Sequence, residues 1–148
     1  MLPEWIDFNS HMNAAYYGLT FQSEAEKFLE TVVGFGVSFA NAEGCGAFVL
    51  QNHLHYLGEL VEGEPFYITA RLLDHDAKRM HMFFEMISDR SGKLCATAEY
   101  VNMNVNQAER RPAAFPDWLM ARLATMQAAH DALERPVQAG APIGLNRR

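Results

Sequence analysis

The segment "DFNSHMN", residues 7–13, concentrates polar side chains on what is predicted to be one turn of the chain. Asp7 could act as a nucleophile or as a general base, and His11 and Asn13 could orient it or a bound carbonyl group. A helix cap would need only one or two of these side chains. The excess of hydrogen-bonding groups raises the hypothesis of a reaction site, which the rest of the sequence must decide. The alternative is that Asp7 and Asn13 cap a helix and that His11 is structural.

A long helix is predicted to begin directly after this turn. Its apolar residues recur at three-, four- and seven-residue steps, and Gly34 and Gly36 end it. A helix N-terminus offers backbone N–H groups to an anion, so a helix beginning beside Asp7 could stabilise a developing negative charge. The residues of the apolar stripe are Tyr17, Phe21, Ala25, Phe28, Leu29 and Val32.

Four segments of alternating apolar and polar residues follow, over 47–57, 66–73, 80–88 and 94–106. The connections between them are too short for parallel crossovers, which predicts an antiparallel sheet. The first segment is expected to have one polar and one apolar face. The polar face carries Gln51, His53 and His55, and the apolar face carries Phe48, Leu50, Leu54 and Tyr56.

A second helix over 115–134 and an aperiodic tail complete the chain. The order of elements predicts an α+β fold, with one domain over residues 1–135 and an extended tail over 136–148. One long helix cannot cover both faces of such a sheet. The uncovered face must be polar or pack against a second copy of the chain, which predicts a homo-oligomer.

Composition limits the classes of partner. The chain has 148 residues and a formal net charge of −6, which argues against nucleic-acid binding. No apolar run approaches the roughly 18–20 residues that span a bilayer, so no membrane partner is expected. Two cysteines, Cys45 and Cys95, are too few for a disulfide framework and favour a reducing, cytoplasmic compartment.

Basic residues occur in three adjacent pairs, Lys78–Arg79, Arg110–Arg111 and Arg147–Arg148. Paired positive charges on an acidic protein could bind a phosphate-bearing small molecule. For any one pair alone, a solvated loop end is the simpler interpretation.

In their order along the chain, these features resemble the hotdog-fold acyl-CoA thioesterases of the 4-hydroxybenzoyl-CoA thioesterase type. "WIDFNSHMNAAYY" is similar to the family's opening, in which an aspartate precedes a glycine–histidine step and an asparagine where the long helix begins. The likeness continues to "NVNQAERRPAAFP" and is greatest to the betainyl-CoA thioesterase-like branch, through "HxxYLxEL" and "LLDxDxKRxH". Ser10 replaces the family's usual glycine, and only six residues precede Asp7, where the family normally has a full first strand.

The resemblance implies a long central helix wrapped by an antiparallel sheet, assembled as a homodimer or as a dimer of dimers. It implies a cytoplasmic hydrolase that cleaves a short or polar acyl-CoA, with betainyl-CoA as one candidate, and that uses no metal or other cofactor. Asp7 would carry the reaction, with His11 and Asn13 in support.

The resemblance also implies where the CoA part of the substrate binds. The CoA phosphates are expected at the basic pairs Lys78, Arg79, Arg110 and Arg111. The acyl group is expected near Tyr16, Tyr17, His53 and Tyr56, because aromatic rings attract quaternary ammonium groups. The alternative is that these aromatic residues belong to the ordinary core.

Three other functions remain open. His53, His55 and Glu59 nearly match a cupin metal motif, but the spacing from Gly46 is one residue too long and the long helix contradicts a cupin barrel, so no metal is predicted. Asp7 and His11 also have the spacing of a hotdog enoyl-CoA hydratase or dehydratase. A non-catalytic hotdog protein that binds acyl-CoA is the third alternative.

Overall fold

The computed structural model describes residues 2–145, so the pair Arg147–Arg148 lies outside the described residues. Within them, a 3₁₀ turn at Pro3–Trp5 precedes the long helix α1, which continues into a π-helical turn at Leu29–Val33. The remaining elements are regular helices and strands. Their bounds are α1 Ala14–Phe28, α2 Val37–Glu43, β1 Cys45–Tyr56, β2 Phe66–His75, β3 Arg79–Ser88, β4 Leu94–Asn106, β5 Arg111–Pro112 and α3 Asp117–His130.

Helix α1 begins and ends close to where the sequence predicts. Asn13 caps its first turn, and Gly34 ends the π-helical turn with a left-handed φ of 78°. The predicted burial of Val32 is wrong: Val32 is 48% exposed, whereas Val33 is fully buried. A π-helical turn holds more residues than an α-helical turn, and this rotates Val33 toward the core in place of Val32.

The predicted antiparallel sheet is confirmed. Its strands lie in the order β1-β4-β3-β2, and the short strand β5 extends the sheet by pairing with the end of β4. The face that contacts α1 is almost entirely apolar and supplies a large part of the core. Its fully buried members include Met80, Met82, Phe84, Met86, Ala96, Ala98 and Tyr100.

The predicted faces of β1 are partly wrong because the strand contains a bulge at Leu50. Val49 pairs with Asn102 and Gln51 with Val101, so Leu50 is an extra residue in the register. Directly paired residues share a face, so Phe48, opposite Met103, lies on the same face as His53, opposite Glu99. Leu54 and Tyr56 lie on the inner face, as predicted.

The short helix α2 was not predicted; its cap comes from outside the helix. Glu30 accepts hydrogen bonds from the backbone N–H (3.0 Å) and the hydroxyl of Ser38 in the first turn of α2. Helix α3 is shorter than the predicted 115–134 and buries Leu119 and Leu123. None of the helices within residues 2–145 is long and apolar enough to cross a bilayer.

The chain after α3 returns to the outer face of the sheet. The backbone N–H of Gly140 donates to both carboxylate oxygens of Glu99 on β4, at 2.9 and 3.0 Å. Arg71 on β2 donates to the carbonyl of Glu134 at 3.0 Å. The division into a domain over 1–135 and a tail over 136–148 stays a prediction.

Candidate active site

The polar segment at residues 7–13 forms a closed turn at the entrance to α1. The Asp7 N–H donates to the His11 carbonyl (3.1 Å), and the Ser10 N–H donates to the Asp7 carbonyl (3.0 Å). Ser10 has a φ of 66°, in the left-handed region where glycine is usual. The turn therefore requires a left-handed residue at position 10, and here a serine adopts that conformation.

The Asp7 carboxylate is half-buried and is fixed through both of its oxygens. Oδ1 accepts from the Asn9 backbone N–H at 2.8 Å, and Oδ2 accepts from the Asn13 side-chain amide at 3.1 Å. The other end of the Asn13 amide caps α1 by accepting from the Ala15 N–H at 2.9 Å. Asn13 therefore holds the carboxylate and the helix N-terminus in one rigid arrangement, where the helix dipole favours a negative charge.

The loop over residues 57–65 secures this turn from the other side. The Leu60 carbonyl accepts from the Met12 N–H at 2.8 Å, and the Leu60 N–H donates to the Tyr17 hydroxyl at 3.2 Å. That hydroxyl in turn donates to the Gly58 carbonyl at 3.3 Å. Burial raises the pKa of Tyr17 to about 12, so its hydroxyl stays protonated and serves as a structural tie.

Glu64 fixes the loop to the rest of the protein. Its carboxylate accepts from the Ser88 hydroxyl at 2.5 Å and from the Val61 N–H at 3.2 Å. These bonds lower the pKa of Glu64 below its usual value, and the bond from Ser88 has the largest effect. The anionic form of Glu64 is therefore favoured. The position of Leu60 against the polar turn therefore depends on a contact with Ser88 at the end of β3.

A cleft of about 730 Å³ opens between the start of α1, the end of β1 and the loop over 57–65. It reaches the polar turn through His11 and Met12; Asp7 itself does not line it. The His11 Nδ1 atom lies 3.2 Å from the Met12 carbonyl, a distance at which it can donate a hydrogen bond. The remaining lining residues are Ala14, Tyr17, Tyr56, Leu57, Gly58, Glu59, Val61 and Lys93.

Two of the four residues predicted to bind the acyl group meet in this cleft. The rings of Tyr17 and Tyr56 make an edge-to-face contact with centroids 5.5 Å apart. Tyr16 stacks on Trp5 and does not line the cleft. His53 lies on the outer face of the sheet beside His55, with ring centroids 4.2 Å apart.

The two described basic pairs meet at the opposite end of the sheet. Lys78 directly precedes Arg79, the first residue of β3, which pairs with Met103 on β4. Arg111 lies on β5, which pairs with the next residues of β4, Val105 and Asn106. Arg79 is bound to Asp76 at 2.6 Å, and Arg110 lies over the Phe48 ring at 5.4 Å. Within residues 2–145, the side chains of Lys78 and Arg111 have no polar partner.

The basic pairs and the polar turn at residues 7–13 are far apart within one chain. Tyr56, beside the cleft, pairs with Ala96 on β4, whereas Arg79 pairs with Met103. Seven residues of strand span about 23 Å at a rise of about 3.3 Å per residue. The sequence predicted both groups of residues but gave no indication of this separation.

Two charged residues, Glu59 and Lys93, line the cleft without a predicted role in substrate binding. Glu59 follows Tyr56 by three residues, which was an available signal. Lys93 comes from the hairpin between β3 and β4, and its approach to Gly58 requires the folded structure. No group of three histidine, cysteine or acidic residues within residues 2–145 is arranged to hold a metal ion.

A model of the thioesterase-like superfamily matches residues 1–123. The chain belongs to this superfamily. This thioesterase-like chain is 35% identical, over 98% of its length, to a betainyl-CoA thioesterase from Pseudomonas aeruginosa, of which it covers 91%. It is 32% identical over 97% of its length to an L-carnitine dehydrogenase/betainyl-CoA thioesterase from Rhizobium meliloti, of which it covers 28%.

The structural comparison agrees with the sequence comparison. A hypothetical protein from Staphylococcus aureus, solved in complex with CoA, superposes on the thioesterase-like chain with a TM-score of 0.90 at 30% identity. The match covers 98% of this chain and 90% of the other. The predicted hotdog fold, the thioesterase family and the enzyme class of thioester hydrolase are confirmed.

Proposed function

We propose that the chain hydrolyses acyl-CoA to a free acid and CoA, with the Asp7 carboxylate as the reacting group. The fixed position of Asp7, held by Asn9 and Asn13 at the start of α1, is the observation that carries the proposal. If Asp7 is a general base, it removes a proton from a water molecule that adds to the thioester carbonyl carbon; the carbon–sulfur bond then breaks and CoA leaves as the thiol. If Asp7 is the nucleophile, its carboxylate adds to that carbon and CoA leaves, and water then hydrolyses the resulting anhydride to release the acid and restore Asp7.

The start of α1 supplies the second requirement, stabilisation of the oxyanion. Ala14 is the first residue of α1 and lines the cleft, so its backbone N–H is the candidate donor. His11 lines the same cleft and is proposed to orient the substrate carbonyl. Asn13 is proposed as the residue that positions Asp7.

Betainyl-CoA is the proposed substrate. The support is the 35% identity to the betainyl-CoA thioesterase of Pseudomonas aeruginosa over nearly the whole chain. A trimethylammonium group favours aromatic surroundings, and Tyr17 and Tyr56 provide two rings beside the catalytic turn. Tyr16 and His53 stay predictions, because they lie outside this cleft.

We further propose that the working unit is a homodimer joined through β1. Within residues 2–145, β1 is an edge strand that pairs only with β4, and Val49, Leu50 and Leu57 are exposed on it or next to it. Exposed apolar edges of this length favour pairing with another strand. A dimer of dimers is the alternative assembly.

Antiparallel pairing of two β1 strands about a two-fold axis would bring the cleft of one subunit close to the basic pairs of the other. The Phe48 end of β1, which contacts Arg110, would then lie beside the Tyr56 end of the other copy. CoA could reach from the cleft of one subunit to Lys78 and Arg111 of the other, with Arg79 and Arg110 nearby. The complex of the Staphylococcus aureus neighbour with CoA supports CoA binding by this fold. A cytoplasmic location belongs to the proposal, and the free thiols of Cys45 and Cys95 support it.

The test is Asp7→Asn assayed by thiol release from betainyl-CoA. Loss of a nucleophile or general base is expected to lower kcat by about a thousandfold. Glu4→Gln is the matched control, because it makes the same chemical change at an exposed carboxylate three residues earlier. A kcat for Asp7→Asn equal to that of Glu4→Gln would remove Asp7 from the mechanism.

A further inference from the structure

The cleft beside the catalytic turn carries a charge pattern that the hydrolytic reaction itself does not need. Its ten lining residues include one acidic side chain, Glu59, and one basic side chain, Lys93. The structure gives neither side chain a hydrogen-bond or ion-pair partner within residues 2–145. The cleft therefore presents a free carboxylate and a free ammonium group to whatever occupies it.

The aromatic residues of the cleft are held rigidly. Their hydroxyl groups contact the backbone, that of Tyr17 at Gly58 and Leu60 and that of Tyr56 at the Ala14 carbonyl, 3.4 Å away. What they can present to a ligand is therefore ring surface. Tyr56 is 52% exposed and offers most of that surface, with Tyr17 packed behind it.

Glu59 is well placed to act together with these rings. It is exposed, and it lies between Gly58 and Leu60, the two residues whose backbones bond to Tyr17. Its negative charge also contributes to the raised pKa of Tyr17, after the larger effects of burial and of Cys95. A carboxylate beside an aromatic surface is the combination that binds an alkylated ammonium ion, through charge attraction and the ring quadrupole.

We propose that Glu59 determines the specificity of this enzyme for cationic acyl groups, by attracting a quaternary ammonium group that rests on the ring of Tyr56. This inference rests on the proposed thioesterase activity and goes beyond it by assigning the recognition of the acyl group to one residue. Lys93 lines the same cleft with a positive charge, which would repel a cationic acyl group. Its Nζ atom lies 3.2 Å from where a Cβ atom on Gly58 would be, so it occupies the space that the glycine leaves open.

The opposing charges provide a sharp test. The substrates are betainyl-CoA and 3,3-dimethylbutyryl-CoA, which has the same shape with a carbon atom in place of the quaternary nitrogen. The measured quantity is kcat/KM for betainyl-CoA divided by kcat/KM for 3,3-dimethylbutyryl-CoA. General damage to the enzyme lowers both values and leaves this ratio unchanged. Glu59→Gln is expected to lower this ratio by about tenfold, chiefly through a higher KM for betainyl-CoA. Lys93→Gln is expected to raise it by about twofold, because a repulsive charge in a partly exposed cleft is lost.

Glu62→Gln is the matched control, since Glu62 is an exposed carboxylate of the same loop that does not line the cleft. Thermal unfolding of each variant shows whether it is folded. A ratio for Glu59→Gln equal to that of Glu62→Gln would overturn the inference, as would shifts of the ratio in the same direction in Glu59→Gln and Lys93→Gln. If the wild-type protein releases CoA from neither substrate, the proposed function itself fails. If it hydrolyses them without the predicted shifts, only the role of Glu59 fails.

Discussion

Replacement of Asn13 by alanine should affect stability and catalysis through two separate hydrogen bonds. The Asn13 Oδ1 atom caps α1 at 2.9 Å from the Ala15 N–H, and the Nδ2 atom holds the Asp7 carboxylate at 3.1 Å. Loss of a helix cap costs about 1 kcal/mol, which lowers Tm by about 2–4 °C in a chain of this size. A hydrogen bond to a charged group contributes about 1.5 kcal/mol at its lower limit, which suits a half-buried carboxylate. If that energy orients Asp7 in the transition state, kcat falls by about tenfold.

Asn13→Ser separates the two effects. Serine caps helices about as well as asparagine, but its hydroxyl is too short to bridge to the Asp7 carboxylate while it caps. The serine variant should therefore regain the wild-type Tm and keep the tenfold lower kcat. Circular dichroism on heating measures the first quantity, and thiol release under saturating acyl-CoA measures the second. A serine variant with the wild-type kcat would refute the positioning role of Asn13 and reduce the residue to a cap.

Two further predictions concern the assembly and the fold. Coexpression of Asp7→Asn and Arg111→Glu chains should restore about a quarter of the wild-type activity at low acyl-CoA concentration. Half of the randomly assembled dimers are mixed, and each mixed dimer has one intact site of two. Each variant alone should be nearly inactive in the same thiol-release assay, and mixtures no more active than the sum of their parts would argue against a site shared across β1. Gly36→Ala should lower Tm by about 4–8 °C, since its Cβ atom would lie 2.7 Å from the Glu30 Cα atom and overpacking of this kind costs about 2 kcal/mol. Gly144→Ala, whose Cβ atom meets nothing within 4 Å, is the control, and equal Tm values for the two variants would contradict the predicted clash.

The parts of the fold that depend on local pattern could be predicted from the sequence. The apolar stripe from Tyr17 to Leu29 and the glycine at position 34 define α1, because both signals act within a few residues. The same local reasoning fails at Leu50. A bulge adds one residue to β1 without any change in its alternating pattern, so the face of Phe48 becomes apparent only from the pairing with β4.

The candidate site, too, could be predicted only where its residues are close together in the sequence. Asp7, His11 and Asn13 lie within one turn, so their association could be predicted from spacing. The cleft beside them joins Tyr56 and Glu59 to Lys93, which lies more than thirty residues later in the chain. The approach of Lys93 to Gly58 depends on the pairing of β1 with β4, a long-range contact that periodicity does not encode.

The contact between Glu64 and Ser88 gives the enzyme a sensitivity to acid that is independent of its chemistry. Because the pKa of Glu64 is lowered in the folded protein, the ionised carboxylate stabilises the fold at neutral pH, and this contribution is lost as the pH falls through the lowered value. Protonation there would loosen the anchorage of Leu60, and with it the hydrogen bond that holds Met12 in the polar turn. A carboxylate that does not line the cleft thus helps to determine how acidic a medium the polar turn can tolerate.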